Sequence, residues 1–320
     1  MADGEESSGE LIHVFWHDGM LAHTNASSSG VFDTLQDPGF LDLLEPHPEN
    51  ADRVRNMKSI LQRGPISPHI RFHQGRAATQ QELLFFHTPE YVQELIAADK
   101  AGGKILCNKT CLNVGSWEAA LLAAGSTCEA MQYIIDGHAK LAYALVRPPG
   151  HHAHLHLQTA WERDDVLTVS LHMSHGSRGP SHPQTGQLDE FGRGKGIGFN
   201  LNIPLPNGTG DQGYEYAMEE LVVPALGDFK PEMLVLVIGQ DSSAFDPNGR
   251  QCITMEGYRK LAQIIRQQAG LHTGGKVLVV QEGGYHLTYA AYCLHAALEG
   301  LLMRLSLSKE LSKSSINIVV

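Results

Sequence analysis

The chain has 320 residues, 42% of them hydrophobic and 18% charged, with a formal net charge of −11. That is apolar material for one large α/β domain or two small ones. The negative balance excludes a nucleic-acid binder that works through its own surface field, and suits basic substrates such as lysine tails or polyamines. Five scattered cysteines suit a reducing compartment, and Cys107 with Cys111 lacks the second pair of a zinc knuckle. No apolar run has the length of a bilayer span, and the acidic start is not a signal peptide. A soluble, intracellular protein with no membrane or direct nucleic-acid partner is expected.

In chain order, residues 1–10 form an acidic, Ser-rich tail read as disordered. Leu11–Trp16 alternates as a first strand, and His23–Gly30 is a loop. Asn50 caps a helix through Val54, Met57, Ile60 and Leu61. The Glu45–Asn50 stretch is therefore either that helix's approach or a rim loop near a pocket. Thr79–Phe86 is a short helix, and Pro89 opens another through Tyr91, Leu95 and Ile96. Ser116–Ile135 is the longest helical signal, with Trp117, Ala120, Leu121, Ala124, Cys128, Met131 and Ile135 at helical spacing. Leu141–Val146 is a buried strand that stops at Pro148-Pro149-Gly150. His151 and His152 follow at once.

His154–Glu162 has no clear period and no turn chemistry. Val166–His172 is a strand, and His175–Lys195 a long loop rich in Gly, Ser, Pro and His. The glycines of Gly194–Asn200 and Gly208–Asp211 allow close backbone approach to a ligand, but no Gly-Lys-Ser/Thr ending supports a phosphate loop. Gln212–Asp228 is a helix. Met233–Ile238 is a continuous apolar run, expected to be a strand covered on both faces. It ends in Gly239-Gln240-Asp241. Thr254 caps a helix through Tyr258, Leu261 and Ile265. Val277–Gln281 is a buried strand ending in Glu282-Gly283-Gly284-Tyr285, and a last helix runs from about Tyr289 to Arg304.

Strands alternating with helices give an α/β class with a mainly parallel sheet. Three of the strands have polar groups just past their C-terminal ends: His151/His152, Asp241 and Tyr285. Ligands collect at that end of such sheets, so these groups can meet at one mouth. A histidine pair, an aspartate and a tyrosine suit a metal-assisted hydrolase. The metal polarises a carbonyl and acidifies a water, an imidazole relays the proton, and the tyrosine hydroxyl donates to the developing oxyanion.

Arg147–Ala153, Gly208–Asp211, Gly239–Asp241 and Glu282–Tyr285, in that order, closely resemble the zinc-dependent histone deacetylases. The resemblance covers roughly residues 11–303. His13–His17, His47–Asn50 and Gly239–Gly249 look like the class II branch, near plant deacetylases and acetylpolyamine amidohydrolases. The resemblance implies an arginase/deacetylase-like α/β fold with helices on both faces of the sheet. It implies zinc as cofactor and hydrolysis of acetyl-lysine, in histone or another protein, or of acetylpolyamine. It also implies work in the cytoplasm and/or nucleus. His152 matches the general base and acid, His151 its partner, Tyr285 the residue that polarises the acetyl carbonyl, and Asp241 one zinc ligand.

The chain departs from the family after Ala153. The family continues into a helix and a buried strand ending in Asp-x-Asp-x-His, which supplies two further zinc ligands and a brace for the histidine pair. Here the chain passes directly to Arg163–His172, which matches the family's next strand. About one strand–helix unit, roughly thirty residues or more, is missing. The expected domain is residues 11–304 with a break near 154–162, followed by a tail at 305–320, and it lacks one interior strand and helix. Three protein ligands are the rule for catalytic zinc, so weakened binding and impaired activity are expected. His154 and His156 share one strand face with His152 and are read as junction residues rather than substitute ligands. The flanking strands should either re-pair or leave the sheet open. The alternative is a non-catalytic isoform or binding module for acetylated ligands or protein partners. Oligomeric state is left open.

Overall fold

A computed structural model of the chain describes residues 10–25, 47–105, 111–150, 158–174 and 185–303. The tails at 1–9 and 304–320, Cys107, and the junction at 151–157 lie outside the described residues.

The elements run β1 (Ile12–Trp16), α1 (Ala51–Arg63), β2 (Ile70–Gln74), α2 (Gln80–Leu84), α3 (Pro89–Lys100), β3 (Lys104–Ile105), β4 (Cys111–Leu112), α4 (Ser116–Ile135) and β5 (Leu141–Ala144). Then come α5 (Gln158–Trp161), β6 (Thr168–Met173), β7 (Asn200–Leu205) and α6 (Asp211–Ala217), which passes through a π turn into α7 (Val223–Phe229). β8 (Leu234–Ile238), α8 (Met255–His272), β9 (Val277–Gln281) and α9 (Tyr289–Leu301) complete the order. Local chemistry sets the helix starts. Asn50 accepts from the Asp52 amide at 3.0 Å, Thr79 and Glu82 form a capping box, and Thr254 accepts from the Gly257 amide.

The main sheet has the order β2-β1-β5-β9-β8, with every pair parallel. Crossovers through α1 and α8 move one way along the sheet, and the crossover through α4 moves the other way. Right-handed connections therefore put α4 on one face and α1 with α8 on the opposite face. α9 packs between α8 and α1. β5 is wholly buried, and Val277, Leu278 and Val279 of β9 are 0% exposed.

β8 corrects the expectation of a strand covered on both faces. Leu234 and Ile238 are buried, but Val235 is 48% and Val237 58% exposed. β8 is the last strand of its sheet. β6 and β7 form a separate parallel pair, and all six β6 residues are half-buried. That pair still packs on the common core through Ile203, Val169 and Leu171. Among the described residues no strand joins β8 to β6, so the sheet is open between them.

Candidate active site

β5, β9 and β8 are neighbours, and their registers bring their C-terminal ends level: Ala144 faces Val280, and Ile238 faces Gln281. A buried polar chain ties these ends together. The Tyr143 hydroxyl donates to Gln281 Oε1 at 2.7 Å. Gln281 Nε2 donates to Gln240 Oε1 at 2.8 Å and to the Gly283 carbonyl at 2.9 Å. With its polar groups paired, this chain rigidifies the rim rather than weakening it.

Asp241 lies in the short 3-10 turn after β8, and Tyr285 in the turn after β9. The two turns touch. A β-carbon at Gly283 would stand 2.6 Å from Asp241 Oδ1, so only glycine lets the carboxylate approach there. Gly284 has φ +105°, which turns the backbone into Tyr285. Asp246 locks the turns together, accepting from the Tyr285 amide at 2.6 Å and from the Asn248 and Gly249 amides at 2.8 Å. Burial raises the pKa of the Asp246 carboxyl. Burial, and then the charge of Asp241, holds the Tyr285 hydroxyl well above its ordinary pKa. Tyr285 is therefore a protonated donor throughout the physiological range.

A buried frame that the sequence reading did not assign supports Tyr285 from behind. The Arg53 guanidinium lies 4.7 Å from the Tyr285 ring centroid. Arg53 also donates to the Gly284 carbonyl at 2.5 Å, the Glu282 carbonyl at 2.7 Å and Glu49 Oε1 at 3.0 Å. Arg147 grips the same Glu49 through Nε at 2.7 Å and Nη2 at 2.9 Å. Burial raises the Glu49 pKa, but the Arg147 hydrogen bond and the charges of Arg147 and Arg53 outweigh it, and the net direction is down. His23 joins the frame with Nε2 at 3.7 Å from Glu49 Oε2. Burial, and then the Arg147 charge, pushes its pKa down to about 4. Asn50 starts α1 while Glu49 enters this frame, so the described part of that stretch, residues 47–50, serves both as helix approach and as rim support.

His151 and His152 lie outside the described residues. The described backbone reaches Gly150, whose amide donates to Glu282 Oε2 at 2.9 Å. The turn after β5 is thereby tied to the end of β9, beside Asp241 and Tyr285.

The family model described as the histone deacetylase domain matches residues 47–159 and 156–301. Histone deacetylase 8 of Arabidopsis thaliana is 56% identical to this chain, over 91% of it and 88% of the relative. The chain belongs to the histone deacetylase family. A histone deacetylase-like amidohydrolase of Pseudomonas aeruginosa is 31% identical over 80% of this chain and 77% of the relative. The crystal structure of the HDA15 HD domain superposes with a TM-score of 0.75 at 27% identity, covering 93% of this chain and 91% of that one. The arginase/deacetylase α/β fold and membership of a hydrolase family follow. The alignment with the Arabidopsis relative runs over 332 residues, whereas 91% of 320 is about 291, so about 40 positions of the relative face a gap.

Zinc is the metal this deacetylase family implies. A catalytic zinc takes three protein ligands. Among the described residues no three of His, Cys, Asp and Glu stand together to hold a metal. Asp241 is the one residue with a ligand role carried from the family. His172, at the end of β6, has both ring nitrogens engaged, Nδ1 with Ser170 Oγ at 2.8 Å and Nε2 with the Gly186 carbonyl at 2.9 Å. His154, His156 and His175 lie outside the described residues.

Proposed function

We propose that this chain carries a deacetylase-type site for acetyl-lysine, in histone or another protein, or for acetylpolyamine, and that its turnover is impaired because two of the three zinc ligands are missing. The rim that brings Asp241 against Gly283, two residues before Tyr285, beside a β8 paired on one side only, carries this reading. The domain is residues 11–304, and the missing unit is one interior strand and helix that would lie against β8. Support comes from the open sheet, the exposed Val235 and Val237, and the two-part family match that restarts at residues 156–159.

In this reading the Tyr285 hydroxyl donates to the acetyl carbonyl oxygen as negative charge develops there. Arg53 and Asp246 hold that hydroxyl's residue in place, so the donor does not have to be ordered during the reaction. His152, with His151 as partner, takes a proton from the attacking water and returns it to the leaving amine. A single carboxylate, Asp241, holds a metal poorly against water, and the lost function is the polarised carbonyl and acidified water that the family's zinc supplies. The chain acts in the cytoplasm or nucleus.

Zinc content by mass spectrometry and turnover of an acetyl-lysine peptide test the reading. Substoichiometric zinc with slow turnover is expected, and full activity with tightly held zinc would falsify it. A second reading is a non-catalytic module that engages acetylated ligands at the same rim, and the complete Arg53–Glu49–Arg147 frame favours it. Retained binding of the acetyl-lysine peptide with zero turnover selects it.

A further inference from the structure

Beside the Tyr285 turn stands an aromatic group outside the hydrolytic set. Phe245 is 62% exposed, although a phenylalanine ring is among the most profitable groups to bury. Its place is nevertheless fixed. The ring packs edge-to-face on Tyr289, with centroids 4.8 Å apart and an interplanar angle of 86°. The His286 ring centroid stands 6.4 Å from that of Phe245 and 6.3 Å from that of Tyr289, so the three rings form one cluster. The backbone on either side is pinned as well. The Ala244 amide donates to the Ile253 carbonyl at 3.0 Å, and Asp246 is bonded to the Tyr285 amide at 2.6 Å. An exposed ring fixed beside the Tyr285 turn is a ready surface for an alkylammonium group. Among the described residues Arg53 and Lys58 lie over Tyr285 and Trp16, and no internal cation lies over Phe245. Asp241 lies just before it in the same loop, and the chain's net charge of −11 favours a cationic ligand.

We propose that Phe245, clustered with Tyr289 and His286, is a cation–π lip that takes a second, ammonium-bearing arm of the acylated amine, so that doubly functional amines bind better than singly functional ones. This rests on the deacetylase-type reading of the rim. The shared chemistry is an amide with a nearby ammonium, and an acylated polyamine and an acyl-lysine peptide with a neighbouring lysine both supply it.

Calorimetric binding to the full chain tests the lip, with N-acetylputrescine against N-acetylbutylamine, which has the same chain length without the ammonium. A second pair is an acetyl-lysine peptide with an adjacent lysine against one with an adjacent glutamine. The expected preference for the charged member is about two- to fivefold, the size of an exposed cation–π contact. Phe245→Ala and Phe245→Leu should abolish it, the latter keeping an apolar side chain without a π face, and Phe245→Tyr should keep it. The pair that loses its preference identifies the source of the ammonium. Equal binding of charged and neutral members to the parent chain, or a preference that survives Phe245→Leu, overturns the lip and leaves the rim reading standing. Failure of all four ligands to bind overturns the rim reading, and the lip with it.

Discussion

β9 and β8 are both five-residue apolar runs, Val-Leu-Val-Val-Gln and Leu-Val-Leu-Val-Ile, yet they meet different fates. β9 is paired on both sides and is almost wholly buried. β8 is paired on one side only, and two of its valines face solvent. Burial is therefore a property of neighbours rather than of the segment. One side of the molecule, from β2 to β9, is a finished core with a rigid polar rim. The other, β8 with the β6–β7 pair, reads as a core with a piece withdrawn, and the proposed loss of zinc ligands falls on that side.

The strongest way to sharpen the contrast is to restore the piece. A chimera with the corresponding strand–helix segment of the Arabidopsis relative inserted between Ala153 and Arg163 should raise acetyl-lysine turnover on the order of a thousandfold. It should also protect the β8 amides from hydrogen exchange. An unchanged rate with protected amides would separate the architectural claim from the catalytic one.

Within the finished side, Arg259 and Glu299 form a buried ion pair at 2.7 Å. Removing one partner, by Glu299→Gln, should cost about 3–5 kcal/mol in urea unfolding. A cost below about 1 kcal/mol would show that this side is looser than described. Leu278→Ala in β9 should cost about 2–5 kcal/mol. Val237→Ala in β8 should cost no more than about 0.5 kcal/mol. Equal costs would erase the difference between the two strands.

A further effect is a pH dependence in the rim frame. His23 is neutral when folded, with a pKa of about 4 against an ordinary 6.5. The folded state thus binds fewer protons than the unfolded state between those values. The His23 contribution is fully present above pH 6.5 and is lost as pH falls from there toward 4. The loss is at most about 3 kcal/mol, at 1.36 kcal/mol per unit. Thermal melts across this window should show the decline, and His23→Gln should flatten it. A parallel decline in the variant would assign the effect elsewhere.

Much of this architecture was legible in the residues. Ser116–Ile135 stands as read, because its apolar residues recur at helical spacing over the whole segment. The runs forming β1, β8 and β9 were equally plain. β2 and β7 were not recognised. β2 reads Ile-Arg-Phe-His-Gln, with little apolar continuity, and β7 contains Pro204, which argues against a strand although an edge tolerates it. Asp241 and Tyr285 could be found because strand ends collect ligands. Glu49, Arg53 and Arg147 escaped because a buried charge network depends on contacts across 98 positions of sequence, which no periodicity records. The exposure of Val235 and Val237 escaped for a complementary reason, since burial depends on the elements alongside a strand and β8 has a partner on one side only.

The most direct test of the central claim joins metal content to rate. The purified full chain is loaded with excess zinc, desalted, and assayed on an acetyl-lysine peptide beside the chimera. The parent chain should retain well under one equivalent of zinc and turn over far more slowly than the chimera. A full equivalent retained by the parent chain, with a rate matching that of the chimera, would contradict it.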